Sequence, residues 1–255
     1  TCALPIWYMA TAVGGLILTL AAFAWWRKQR GDGVSDVALP TFTLLWVCLQ
    51  GAFGALTVTM KLFPLIVTLH LMGGLVLPAL LTVQVQRQRL HNDLAVPVLL
   101  CPLLHRLIWL GLVLLSVQIL LGGWVSTNYA VLACNTFPKC QNSWWPSMDF
   151  AQGFTLWRHL GMNASGEPLT FESLTAIHYA HRLAAYAVLA YLGVLAWQLR
   201  RVAACQQAAR WLLAVLLLQL LTGLSNVVLD WPLLAAVLHT GGAAALLVIL
   251  VGLLS

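Results

Sequence analysis

Seven histidines are the side chains in this sequence best suited to bind a metal. Four of them lie inside long apolar segments: His70, His178, His181 and His239. An ionisable residue inside a membrane-spanning segment is by default a candidate functional residue, because its burial in lipid is unfavourable. Haem iron takes two axial ligands, and facing helices of a bundle can supply both. The other three lie between the apolar segments and are interpreted as solvated or interfacial: His91, His105 and His159.

Three of these histidines share a position along their segments. His70, His181 and His239 each follow the start of an apolar segment by about seven or eight residues, a depth of roughly 10 Å at the helical rise. Imidazoles at one level on helices that run the same way can meet inside a bundle, so we predict haem ligation. The alternative is that each ring packs between helices and bonds a backbone carbonyl. Zinc fits less well, because it needs three or four close ligands and no cysteine or acid shares this level.

His178 and His181 are neighbours on one helix face, and a haem ligand site needs only one of them. The residues by themselves leave this choice open. Arg182 follows His181 near the outer end of the same segment. Its guanidinium can pair with a haem propionate or extend toward lipid headgroups, and both interpretations stay open.

The segments that carry these histidines belong to a strongly apolar chain. Hydrophobic residues make up 61% of its 255 residues and charged residues 8%, whereas a soluble domain has about 25% charged residues. The sequence therefore predicts an all-α polytopic membrane protein whose solvent is lipid. Seven membrane-spanning helices are predicted: 4–26, 40–60, 63–85, 103–126, 173–199, 210–229 and 232–254. The net charge of +6 does not indicate nucleic-acid binding, because the basic residues lie at the ends of these helices.

Positive charge is distributed unevenly between the two sides of the predicted bundle. Most of the basic residues follow the first, third and fifth predicted helices. Because basic loops stay in the cytoplasm, segment 127–171 is predicted to lie outside, which in a bacterium is the periplasm. Cys134 and Cys140 lie in that oxidising compartment, so we predict a disulfide between them rather than two free thiols.

An internal repeat relates the two halves of the chain. The copies share a glutamine, a glycine and a histidine at equal spacing: Gln50, Gly54 and His70, then Gln219, Gly223 and His239. A third Q-x-x-x-G pattern occurs at Gln118 and Gly122. The simplest explanation is a duplicated four-helix bundle of which seven helices are present, although apolar helices also resemble one another by chance. The predicted domains are an incomplete N-terminal bundle, residues 1–100, and a C-terminal bundle, residues 101–255.

Three stretches resemble the haem A synthase family in its proteobacterial form. The most specific runs from Gln118 to Arg158 and contains a C-x5-C loop followed by W-W-P-x-M-D-F. I-H-Y-A-H-R-L at 177–183 and L-H-T-G-G at 238–242 resemble the family as well. The resemblance covers nearly the whole chain and is strongest from about residue 100 onward.

The resemblance implies a fold of eight helices in two similar halves, located in the bacterial inner membrane. It implies oxidation of a methyl group of haem O to the formyl group of haem A for cytochrome oxidase. His181 and His239 would hold a haem b cofactor, whereas His70 would bind the iron of the substrate haem O. The cysteine pair of the family's outer loop corresponds to Cys134 and Cys140. Partners implied by the family are haem O synthase and cytochrome oxidase assembly factors.

The chain departs from the family pattern near its start. Trp7 and Tyr8 stand where the family has a first His-Arg motif, and Leu4 stands where it has a catalytic glutamate. Tryptophan cannot ligate iron and leucine cannot accept a proton. We interpret the chain as a fragment rather than a paralogue that has lost the reaction. In either case we expect it to bind haem b in its second half without turning over.

Two other functions fit parts of the pattern. One is a b-type cytochrome subunit that only transfers electrons, which would carry haems at two depths rather than histidines at one level. The other is a non-catalytic membrane scaffold with structural histidines. A low-spin b-type haem spectrum would exclude the scaffold, and conversion of haem O would exclude the electron carrier.

Overall fold

The computed structural model describes residues 3–31, 36–94, 98 and 100–255, with side chains described from Trp7 onward. It is all-α, as predicted, and contains seven helices long and apolar enough to cross a membrane. The helices are α1 (Ala3–Arg30), α2 (Ala38–Thr59), α3 (Pro64–His91), α4 (Pro102–Thr127), the short α5 (Phe150–Gly153), α6 (Phe171–Leu199), α7 (Gln206–Val228) and α8 (Leu233–Leu254). All seven predicted membrane-spanning helices are confirmed.

The helices extend beyond the apolar segments that predicted them. Helix α3 continues to His91, because a helix satisfies its own backbone hydrogen bonds in the polar headgroup layer as well as in lipid. Helix α6 begins at Phe171, where the Thr170 side chain accepts a hydrogen bond from the backbone N–H of Ser173 and caps the first turn. A hydropathy pattern marks only the part of each helix that lies in lipid.

Four helices surround the largest apolar core. Helix α4 packs against α6 and α8, and α7 packs against α6 and α8. Fully buried leucines and an isoleucine fill the space between them: Ile108, Leu192, Leu199, Leu212 and Leu250. Helix α3 packs against both α4 and α8, and α2 joins α3 to α1. The division into domains at residue 100 stays a prediction.

A polar contact joins the start of α2 to the far end of α3. The Asp36 carboxylate accepts hydrogen bonds from the backbone N–H groups of Ala38 and Leu39, and it lies 2.7 Å from Nη1 of Arg87. The Leu39 hydrogen bond and the Arg87 guanidinium hold the pKa of Asp36 below its usual value. The carboxylate therefore stays charged near neutral pH and keeps these two helix ends together on the side predicted to be cytoplasmic.

The segment between α4 and α6 covers the opposite end of the bundle. Cys134 and Cys140 form a disulfide with an S–S distance of 1.96 Å, which confirms the predicted pair. Arg158 is 3% exposed, and its Nη2 donates a hydrogen bond of 2.7 Å to Oδ1 of Asn128. Burial lowers the pKa of this guanidinium, which also lies over the Trp124 ring at 5.5 Å. These contacts attach the outer segment to the end of α4.

Candidate functional site

A cavity of about 700 Å³ opens between α4, α6, α7 and α8, with α3 along one side. His181 and His239 both line it, and so do Gln118, Gln219 and Gly223. Its volume lies within the range of about 300–1,000 Å³ typical of cofactor and ligand sites. Most of the side chains that line the cavity are apolar, and only a few polar side chains lie among them. The structure thus brings together two of the three histidines predicted at one level.

The Thr222 hydroxyl lies beside the ring of His239. Its oxygen is 2.7 Å from the Leu218 carbonyl, to which it can only donate, and 3.0 Å from Nδ1 of His239. When the hydroxyl proton lies on the Leu218 carbonyl, Nδ1 of His239 donates to the hydroxyl oxygen. Nδ1 is then the protonated nitrogen, and the lone pair of Nε2 is free to bind a metal. In the part of the chain that the structure describes, Nε2 of His239 forms no hydrogen bond.

His181 lies on α6 opposite Gln118 of α4. Nε2 of Gln118 is 3.0 Å from Nδ1 and 3.5 Å from Nε2 of His181, and it donates to the His181 carbonyl at 3.2 Å. Because an amide N–H can only donate, the ring nitrogen that it meets carries no proton. The glutamine thus holds both the ring and the backbone of the histidine. Oε1 of Gln118 is buried and has no hydrogen-bond partner within the described residues. The amide is held by its N–H groups alone.

His178 lies one turn before His181 and also lines the cavity, but its ring nitrogens have different neighbours. Its ring is 5% exposed, and Nδ1 lies 3.0 Å from the Ala130 carbonyl of the outer segment. Its Nε2 lies 3.5 Å from Nη2 of Arg182. Both ring nitrogens therefore face protein groups, an arrangement suited to attaching the outer segment to α6. This favours His181 over His178 as a metal ligand.

Arg182 points into the disulfide-closed loop. Its Nη1 donates to the carbonyls of Thr136 at 2.8 Å and Lys139 at 3.0 Å, and its Nη2 donates to the Cys134 carbonyl at 2.9 Å. The residue is 6% exposed, so the guanidinium does not extend toward headgroups. Arg182 also lines the cavity, and in the described structure its Nε–H has no hydrogen-bond partner. That group remains available to an anionic ligand.

His70 lies outside this cavity, on α3. A Cβ placed on Gly54 of α2 would lie 3.3 Å from its Cε1. Nδ1 of His70 is buried without a hydrogen-bond partner among the described residues. The residue after it, Leu71, lies against Gly123 of α4, where a Cβ would lie 3.0 Å from Cδ2 of the leucine. The α3–α4 contact therefore separates His70 from the cavity that contains His181.

Two aromatic residues near the start of α1 stand where a His-Arg motif was expected. Trp7 and Tyr8 are 61% and 71% exposed, and the side chain of Leu4 lies outside the described residues. No three histidine, cysteine or acidic side chains of the described chain are close enough to hold a metal ion. Two histidines across an apolar cavity fit a planar iron porphyrin with two axial ligands.

A model of the COX15-CtaA family, described as a cytochrome oxidase assembly protein, matches residues 7–251. The chain belongs to the COX15-CtaA family. It is 39% identical over 246 residues to the protein named Heme A synthase in Shewanella oneidensis, covering 96% of this chain and 72% of that protein. It is 27% identical over 236 residues to the Heme A synthase of a Bradyrhizobium strain, covering 87% of this chain and 60% of that protein. The resemblance to the haem A synthase family is confirmed.

In this COX15-CtaA chain, the sequence did not reveal which side chains contact the cavity histidines. Three side chains do so: Gln118, Gln219 and Thr222. Gln118 and Gln219 belong to a repeated pattern that the sequence displays, so their importance was detectable although their partners were not. Thr222 had no such signal, because position three after the glutamine is Phe53 or Leu121 in the other copies. Its hydroxyl becomes informative only when α7 and α8 are packed together.

Proposed function

We propose that this chain carries the haem b site of a haem A synthase in a bacterial inner membrane, with His181 and His239 as the residues that would hold the haem. The observation that carries the proposal is that both histidines line one cavity of about 700 Å³ between the helices of a membrane bundle. Haem b, when bound, supplies a one-electron carrier. The family and the relatives named Heme A synthase support the choice of haem over other large ligands.

Different side chains would have different roles in holding the haem. Thr222 would keep Nδ1 of His239 protonated, so that Nε2 would be presented to the iron. Gln118 holds the backbone of His181. Arg182 has one free N–H that can reach a propionate, while its other donors hold the outer loop over the cavity. The apolar lining excludes water and lowers the local dielectric.

Replacing Thr222 with valine tests the role of this hydroxyl. The shape of the side chain is kept, but His239 loses the acceptor that makes its ring electron-rich and stabilises ferric iron. We expect haem b to stay bound and its midpoint potential to rise by roughly 30–60 mV, where about 59 mV is a tenfold change for one electron. A spectroelectrochemical titration measures the shift, with Thr222→Ser as the control that retains the hydroxyl. An unchanged potential in Thr222→Val would contradict the hydrogen-bonding role.

The reaction proposed for the family is the oxidation of haem O, with His70 as a ligand of the substrate iron. The methyl group is oxidised to hydroxymethyl and then to a gem-diol, which loses water to give the aldehyde. Overall, one methyl and one water give one formyl group, four electrons and four protons. A terminal oxidant of the quinone or dioxygen class would take up the electrons. A haem b held by His181 and His239 would supply the one-electron carrier for this step. Leu71, which follows His70, packs against Gly123 of α4, so the two proposed haem sites would be neighbours across the α3–α4 contact.

For this chain we propose haem b binding with little or no turnover. His70 has no second histidine opposite it in the described part of the N-terminal half, and Trp7 and Tyr8 stand in place of the family's His-Arg motif. Haem O synthase would supply the substrate, and cytochrome oxidase assembly factors would receive haem A.

The proposal is tested with the chain purified in detergent. We expect a low-spin b-type spectrum without additions, and binding of added haem O that His70→Ala removes while the haem b spectrum persists. The triple variant Leu4→Glu, Trp7→His, Tyr8→Arg should raise formation of haem A, measured by chromatography of extracted pigments. A colourless preparation that takes up no added haem b would overturn the haem site. Haem b binding with no specific uptake of haem O would instead favour an electron-transfer cytochrome.

A further inference from the structure

The repeated Q-x-x-x-G pattern lies directly opposite the candidate ligand histidines. Nε2 of Gln219 on α7 donates a hydrogen bond of 2.7 Å to the His239 carbonyl on α8. Nε2 of Gln118 on α4 donates one of 3.2 Å to the His181 carbonyl on α6. These are different helix pairs, and in each pair the glutamine bonds the backbone of the histidine itself.

The glycine one turn after each glutamine faces the imidazole ring. A Cβ placed on Gly223 would lie 3.2 Å from Cε1 of His239. A Cβ placed on Gly122 would lie 2.9 Å from Cε1 of His181. Cε1 is bonded to both ring nitrogens, one of which would bind the iron. Any side chain larger than hydrogen at these glycines would therefore turn the ring about its bond to Cβ.

The contact is reciprocal in two helix pairs. The Gln219 amide lies against Gly242 of α8, where a Cβ would overlap the amide, and Gly242 is one turn after His239. On α2 and α3 the Gln50 amide lies against Gly73 in the same way, and Gly54 faces His70. Each helix thus supplies a glycine that admits a polar side chain of the other.

From these contacts we infer that Gln118 with Gly122, and Gln219 with Gly223, are positioning residues that set the angle of the two ligand imidazoles above the haem plane. We call each pair a glutamine–glycine seat. The glutamine holds the histidine backbone through the hydrogen bond to its carbonyl. The glycine lies against the ring and limits its rotation about the bond to Cβ. The inference rests on the proposed haem b site and adds the residues that orient its ligands.

A purely structural role for these glycines predicts a different contact. A glycine that serves helix packing alone abuts backbone or apolar side chains, as Gly111 does against Leu192 and Leu195. In the seats the nearest atom is an imidazole carbon. A histidine ring can swing away when no ligand holds it, so an alanine in the seat is accommodated by the chain without haem. The conflict arises only when the ring must face an iron.

The test compares glycine-to-alanine variants of the full chain. Gly122→Ala should lower haem b content at least about tenfold, and Gly223→Ala, with the longer contact, should lower it less or shift the spectrum. Gly193→Ala on α6 is the matched control, because a Cβ there meets no atom within 4 Å. Since alanine is the better helix former, loss of haem in the seat variants cannot come from a weaker helix. Monodispersity of each variant without haem, measured by gel filtration, verifies the fold.

Glutamine variants supply an independent readout. Gln118→Leu and Gln219→Leu remove the hydrogen bond to the histidine carbonyl while retaining bulk. Gln86→Leu on α3 is the control, because that amide reaches the Gly252 carbonyl at 3.5 Å and no histidine. The electron paramagnetic resonance spectrum of the oxidised protein reports the relative angle of the two imidazole planes. We expect its g values to shift in both seat variants and not in Gln86→Leu.

Three results would overturn the inference. Haem content and g values equal to those of the unmodified chain in all seat variants would remove the positioning role and leave the proposed haem site standing. Equal haem loss in Gly193→Ala would assign the effect to glycine replacement in general. An unmodified chain that binds no haem b would remove the inference together with the proposed function.

Discussion

Alanine at either His181 or His239 is expected to abolish the bound haem b spectrum, with haem content falling at least about tenfold. Each variant leaves the iron with a single imidazole from the protein. The cavity between α4, α6, α7 and α8 is lined mainly by apolar side chains. The other histidine in its described lining, His178, is held by the Ala130 carbonyl and Arg182. Pyridine haemochrome assay of the purified protein measures the loss.

His178→Ala is the matched control for this experiment, because His178 lies on the same helix one turn away. Its nitrogens face the Ala130 carbonyl and Arg182, so its removal should leave most of the haem in place. Equal haem content in His178→Ala, His181→Ala and His239→Ala would refute the ligand assignment.

Arg182→Met is expected to lower the apparent melting temperature of the protein and to loosen the outer loop. The variant leaves three backbone carbonyls without their donor, those of Cys134, Thr136 and Lys139. The Cys134 contact is buried and the other two are part-buried. Since one unsatisfied buried acceptor destabilises by about 1–3 kcal/mol, we expect a loss of roughly that size. Hydrogen exchange should increase over residues 133–141, and haem retention should fall because Arg182 directly follows His181.

An exposed arginine provides the comparison. The Arg201 side chain lies over the Trp197 ring at 5.9 Å at the opposite end of α6, and Arg201→Met should change stability by no more than about 0.5 kcal/mol. Equal melting temperatures for Arg182→Met and the unmodified chain would show that the carbonyl contacts do not stabilise the loop.

The membrane-spanning helices could be predicted from sequence because lipid requires a span to consist of about 20 mostly apolar residues. The apolar stretch around Leu192 or Leu250 satisfies this requirement without reference to the rest of the fold. The disulfide was predictable for a related reason, since Cys134 and Cys140 are the only cysteine pair that is close in sequence and lies in a segment predicted to be outside. Both predictions depend on local composition and topology alone.

The detailed chemistry of the site was less accessible from sequence. Arg182 was expected to meet a propionate or lipid headgroups, yet its donors reach carbonyls more than forty residues away in the chain. The role of Thr222 depends on which of its neighbours takes its proton, which requires the packed positions of Leu218 and His239. Three histidines at matched depth suggested a common meeting point, whereas the α3–α4 contact leaves His70 apart. Hydrogen-bond partners that are brought together only by tertiary packing leave no periodic pattern in the sequence.

The contacts of Arg182 also link the disulfide to α6. The three carbonyls that bind this guanidinium belong to a ring of backbone that closes when Cys134 and Cys140 are oxidised. The disulfide-closed ring and the outer end of α6 therefore stabilise each other through this one side chain. Reduction of the disulfide is expected to weaken the hold of Arg182 on the loop.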